Sequence, residues 1–126
     1  MAADTTIDEL PLKNYVSSSL FNASESIQVT NQAMGARCAV AADFDGDGLM
    51  DLVSASSTDN AVSWFRNEGR NEDGQVQFSI KRQITWNSLG SRIVTVGDMD
   101  GDGDIDVIGA SYYDSSLRWF ENVINE

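Results

Sequence analysis

Asp43, Asp45, Asp47 and Asp51 stand at the first, third, fifth and ninth places of DFDGDGLMDLV, and Asp98, Asp100, Asp102 and Asp106 hold the same places in DMDGDGDIDVI. Carboxylates this close repel one another, and a cation resolves the repulsion. Alternate residues of a tight loop can turn their side chains toward one centre. The seventh residue of each loop, Leu49 or Asp104, can add its backbone carbonyl. Gly46, Gly48, Gly101 and Gly103 permit the backbone angles that such a wrap needs. A hard cation such as Ca²⁺ takes about six to eight oxygens. A cage supplied wholly by protein oxygens favours Ca²⁺ over Mg²⁺. The chain has no His and one Cys, which disfavours Zn²⁺. The expectation is two Ca²⁺ sites per chain. A metal-free turn rich in Asp and Gly is the alternative, and the duplication of four aligned carboxylates weighs against it. The helix–loop–helix calcium hand is excluded. It needs a Glu at the twelfth place, where these loops have Ser54 and Gly109.

The loops belong to a longer repeat. Shifted by 55 residues, Asp43–Asn67 lies on Asp98–Asn122 without a gap, and 12 of 25 positions are identical. Gly35 and Arg37 fall on Gly90 and Arg92. Each unit reads as short strands separated by turn residues. RCAVAAD and RIVTVGD enter the acidic loop, MDLVSAS and IDVIGAS leave it, and AVSWF and SLRWF follow. VQFSIKRQI alternates and reads as the outer strand. The fold class is therefore all-β, with two four-stranded antiparallel repeats of the kind found as propeller blades. The expected organisation is a tail over 1–20, an outer strand over 21–35, a first blade over 36–85 and a second over 86–126 that lacks its own outer strand.

The remaining chemistry is sparse. With a formal net charge of −12, the chain is unsuited to nucleic acid or anionic membrane surfaces. No apolar run approaches the roughly 20 residues of a membrane span. Cys38, amid small apolar residues, reads as a core thiol. Trp64 and Trp119 hold equivalent places and read as inter-blade packing, with a ligand platform as the alternative. Trp86 has no counterpart and reads as exposed. Asp59 and Asp114 are candidate carboxylates for glycosidase chemistry, although a turn-capping role fits them better. Arg37 and Arg92 either line a channel or pair with a neighbouring Asp. No His is present for general-base work, so the chain is read as no enzyme. The N-terminus lacks the basic start and apolar centre of a signal peptide.

DFDGDGLMDLV and DMDGDGDIDVI, with VSWFRN and LRWFEN after them, resemble the FG-GAP or VCBS repeat of integrin-α-type β-propellers. The resemblance covers roughly Phe21 to Asn122 and implies Ca²⁺ held by the carboxylates at places one, three, five and nine. It also implies an extracellular or cell-surface binding or scaffold module for adhesion, lectin-like glycan recognition or protein docking. A propeller fragment of a polysaccharide lyase or hydrolase is the alternative.

Propellers need about four to eight blades, and this chain has two. LFNASESIQVT precedes the first blade and matches the outer strand that the second lacks. The expectation is a head-to-tail homo-oligomer of three or four chains. Each chain donates Phe21–Thr30 to the sheet Arg92–Asn122 of its neighbour. A fragment cut from a longer chain is the competing account.

Overall fold

A computed structural model of the chain describes residues 21–126. A 3-10 turn, Ala23–Glu25, is followed by nine strands: β1 (Ala36–Ala42), β2 (Asp51–Ser56), β3 (Ala61–Phe65), β4 (Asn67–Arg70), β5 (Val76–Phe78), β6 (Arg82–Thr85), β7 (Ser91–Gly97), β8 (Asp106–Ser111) and β9 (Ser116–Phe120). The first sheet has the order β1-β2-β3-β6 and the second β7-β8-β9. All pairings in both are antiparallel. The 55-residue shift carries β1, β2 and β3 onto β7, β8 and β9 end for end. It also carries the irregularity between Ala36 and Cys38 onto the one between Ser91 and Ile93. Gly35 and Gly90 sit just before these kinks at φ +71° and +67°, angles that favour glycine. Their carbonyls accept from the amides of Ser57 and Tyr112, which closes each turn.

Register puts Cys38, Val40, Val53, Ala55, Val62 and Trp64 on one face of the first sheet. That face packs against Val94, Val96, Val107 and Phe120 of the second, with Ala42 and Phe44 at one end. β2 is buried along almost its whole length, so it reads as a near-continuous apolar and small-residue run rather than an alternating one. Cys38 is half-buried at this interface, and its thiol lies 3.6 Å from the Val94 carbonyl.

VQFSIKRQI is not one strand. Val76–Phe78 pairs with Asn67–Arg70 in a separate hairpin, and the fourth strand of the first sheet is Arg82–Thr85, paired with β3. The cause is the turn at Asn71–Gly74. Asn71 Oδ1 accepts from the amides of Asp73 and Gln75, and the Gly74 amide bonds to the Asn71 carbonyl. Ser79 then fastens the hairpin to Arg66 through bonds of 2.8 and 3.0 Å. Residues 21–35 pair with no strand in the single chain, among the described residues. Val29, Thr30, Asn31 and Ala33 line a groove on the outer face of the first sheet with Leu52 and Phe65. The tail over 1–20 lies outside the described residues.

Candidate metal centre

Each acidic loop joins the first two strands of its sheet, and its carboxylates are held by backbone amides. Asp43 accepts from the amides of Gly46, Asp47 and Gly48 at 2.8–3.1 Å. Asp98 accepts from Gly101, Asp102 and Gly103 at 2.8–3.1 Å. Positive φ values at Gly46, Gly48, Gly101 and Gly103 fold the chain back so that these donors converge. Asp45 and Asp100 accept from the amides two residues on, as do Asp47 and Asp102, whose donors are Leu49 and Asp104. The two loops thus make the same bonds in the same order.

Asp51 and Asp106 close the nests from the first residue of β2 and β8. Both are fully buried. Asp51 accepts from the amides of Phe44 and Asn67 at 3.2 and 2.7 Å, and Asp106 from Met99 and Asn122 at 2.9 and 2.8 Å. Burial pushes the Asp51 carboxyl above its ordinary range against the pull of those amides. Asp98 moves the other way, lowered chiefly by the Gly103 amide.

Asp43, Asp45 and Asp51 bring one oxygen each within 4.8 Å of one another, and Asp98, Asp100 and Asp106 do the same. A carboxylate has about four lone-pair sites, so the amide bonds leave each nest with free oxygen lone pairs. An oxygen-only donor set of this kind fits Ca²⁺. The carbonyls of Leu49 and Asp104 lie in the same loops. Asp47 and Asp102 stand outside these two sets, although Asp102 groups with Asp100 and Glu121, and again with Asp104 and Glu126.

Sequence reasoning passed over two pairs of equivalent positions. Asn67 and Asn122 each anchor the ninth-place Asp through the backbone amide. The buried Asn122 side chain also donates to the carbonyls of Phe44 and Ile105, 2.7 and 2.8 Å away, so it ties one loop to the other. The second pair is Arg66 and Glu121. Arg66 bonds to Asp45 through Nε and to Asp47 through Nη2, the latter at 3.1 Å. Burial raises Asp45, but the guanidinium outweighs it and the carboxyl is held low. Asp100 has no such partner among the described residues, and desolvation with the neighbouring Asp102 pushes it up. Both pairs were visible as WFRN above WFEN.

The other singled-out residues have structural occupations. Asp59 accepts from Ser56 Oγ and Lys81 Nζ at 2.6 and 2.7 Å. Asp114 accepts from Ser111 Oγ and Arg118 at 2.5 and 3.2 Å. Both cap the turn between the second and third strands of a sheet. Arg37 and Arg92 pair with no carboxylate among the described residues, contrary to the ion-pair expectation. Arg37 donates to Ser57 Oγ, and the Arg92 guanidinium lies 4.6 Å from the Tyr112 ring centre. A hydroxyl and an aromatic face thus take the place of the expected carboxylate. Trp64 packs on the core while Trp119 and Trp86 are exposed. No helix among the described residues is long and apolar enough to cross a membrane.

A family model for the FG-GAP-like repeat matches residues 43–109, just over half of the 126-residue chain. The matched span runs from the first aspartate of one nest through the whole of the other, and the chain belongs to this family. Comparison with curated proteins and with solved structures gives no match.

Proposed function

We propose that the chain is a calcium-stabilised propeller-type binding or scaffold module that works outside the cell and associates head to tail with further copies. The observation that carries the calcium reading is the pair of aspartate nests with the same bonds in the same order, each closed by a buried Asp. Bound Ca²⁺ would supply the positive charge that lets these carboxylates share one centre. Extracellular Ca²⁺ is abundant enough to fill even weak sites of this type. The reading assigns the chain no catalysis, since Asp59 and Asp114 are committed to their turns.

Support for self-association comes from β6. Its Gln83 and Thr85 match Gln28 and Thr30 under the 55-residue shift, so Ile27–Thr30 is the counterpart of a strand that covers the edge of β3. β9 has no such cover among the described residues. Ile27–Thr30 of one copy would lie beside β9 of the next, and three or four chains would give six or eight blades. Glycans or cell-surface proteins would then bind the assembled surface.

Thermal melting of metal-stripped protein tests the calcium reading. Adding CaCl₂ at about 100 times the dissociation constant should stabilise each filled site by about 2.7 kcal/mol, and EDTA should reverse it. An unchanged melting temperature, with no heat in a calcium titration, would overturn the reading. Glycan and surface-protein arrays probed with and without Ca²⁺ test the binding role, for which capture should depend on Ca²⁺ and leave the ligand unaltered.

A further inference from the structure

The nests share their backbone bonds, but the charge set against them differs. Residues 66 and 121 occupy equivalent places, just after β3 and β9, and they are Arg and Glu. Arg66 spans the third and fifth places of its loop, with Asp45 and Asp47 both accepting through Oδ2. The Oδ2 atoms of Asp100 and Asp102 accept no bond within the described chain, and Glu121 brings a further oxygen within 4.8 Å of those two residues.

We propose that Arg66 is a built-in counter-cation that keeps the first nest a weaker divalent-cation site than the second, so that the second nest fills first. This deepens, and rests on, the calcium reading above. A cation entering the first nest must compete for the Asp45 oxygen already engaged, beside an equally engaged Asp47, and must approach a guanidinium of like charge. The first nest sets four carboxylates against that guanidinium. The second has five, counting Asp104, and Glu121 adds another. Local negative charge raises the concentration and affinity of a cation. The Arg66 side chain is 37% exposed, so it can swing into solvent, and the first nest is weakened rather than closed. Without metal, Arg66 already quenches part of the repulsion in its own loop, whereas the second loop has no such substitute among the described residues. The second nest is therefore the one whose order depends on the ion.

A CaCl₂ titration of the metal-stripped full chain, followed by the backbone amide resonances of Gly46, Gly48, Gly101 and Gly103, tests this loop by loop. Gly101 and Gly103 should respond at Ca²⁺ concentrations at least ~10-fold lower than Gly46 and Gly48, the order that the charge difference sets. Arg66→Gln should narrow the gap to less than ~3-fold by strengthening the first nest alone, and Glu121→Arg should weaken the second alone. Joint filling of the two loops in the wild type would overturn the inference while leaving the calcium reading intact. A folded Arg66→Gln protein with an unchanged gap would do the same. No response from any of the four glycines would remove the calcium reading and this inference with it. The wild-type titration needs no variant, so it decides the order of filling even if a substitution misfolds.

Discussion

Asn122 does more for the molecule than a loop-end asparagine ordinarily does. Its amide anchors Asp106, its side-chain nitrogen bridges the carbonyls of Phe44 and Ile105, and its Oδ1 accepts from Ile124 at 3.0 Å. It is 7% exposed, so water cannot replace those bonds at low cost. Leaving a buried polar group unpaired costs about 1–3 kcal/mol. Asn122→Ala should therefore destabilise the chain by about 1–3 kcal/mol in urea unfolding followed by tryptophan fluorescence. Asn67→Ala is the matched control. Its side chain donates to one carbonyl, that of Met50, in an exposed setting, and its loss should cost about 1 kcal/mol or less. Equal losses at the two positions would show that the bridge between the loops adds nothing.

Turns are where the elements of this fold are fastened. Asp59 sits between β2 and β3 and holds Ser56 and Lys81 together. Burial raises its carboxyl, but the Lys81 ammonium and the Ser56 hydroxyl outweigh it, so the carboxyl ends below its ordinary value. A depressed folded-state value means the contribution to stability is complete above the unfolded carboxylate value of about 3.9 and is lost as pH falls through the lower folded value. The melting gap between wild type and Asp59→Asn should then be full at pH 6, worth about 1–3 kcal/mol for a shielded charged bond, and should shrink steadily below about pH 4. A gap that does not change with pH would mean that Asn serves the turn as well as Asp and that charge is not what holds it.

The same scale explains what could be read from the residues alone. β1, β2, β3, β7, β8 and β9 were legible because each apolar run appears twice and because the acidic loop fixes where each pair of strands turns. The β4–β5 hairpin was not. Alternation in VQFSIKRQI fits a strand whichever neighbour it pairs with, and the partner was decided by Asn71, which reads in sequence as one polar residue among several. Arg66 and Glu121 were missed for a different reason. A repeat is found through its identities, whereas the functional difference between the nests lies at a mismatch, on a side chain that reaches 21 residues back to Asp45. The bridge made by Asn122 spans 78 residues to Phe44, a distance at which no local pattern operates.

At the scale of the whole molecule, the two sheets are exposed unequally. Cys38, Val62 and Trp64 of the first sheet face the second. Their counterparts under the 55-residue shift, Ile93, Leu117 and Trp119, are 57%, 79% and 48% exposed, although Val62 is fully buried. An apolar sheet face left open in this way invites a partner. The repeat itself indicates the complementary surface, because Val94, Val107 and Phe120 receive Cys38, Val62 and Trp64, and their counterparts in the first sheet are Ala39, Leu52 and Phe65. In the proposed assembly, Ile27–Thr30 leaves the groove beside Leu52 and Phe65 and pairs beside β9 of a neighbour, and the outer face of the second sheet meets those three residues of the next copy. Light scattering should give three or four times the single-chain mass of 13.7 kDa. Leu117→Glu places a charge at the centre of that contact, where an unpaired buried carboxylate is strongly unfavourable. It should return the mass to that of one chain while the far-ultraviolet circular dichroism stays the same, because Leu117 is exposed in the single chain and lies outside its core cluster. Ca²⁺ should favour the larger species, since ordering the second loop fixes the end of β9 on which the incoming strand must align. A wild-type chain that stays monomeric at every concentration and with Ca²⁺ present would leave the calcium sites standing and remove the ring.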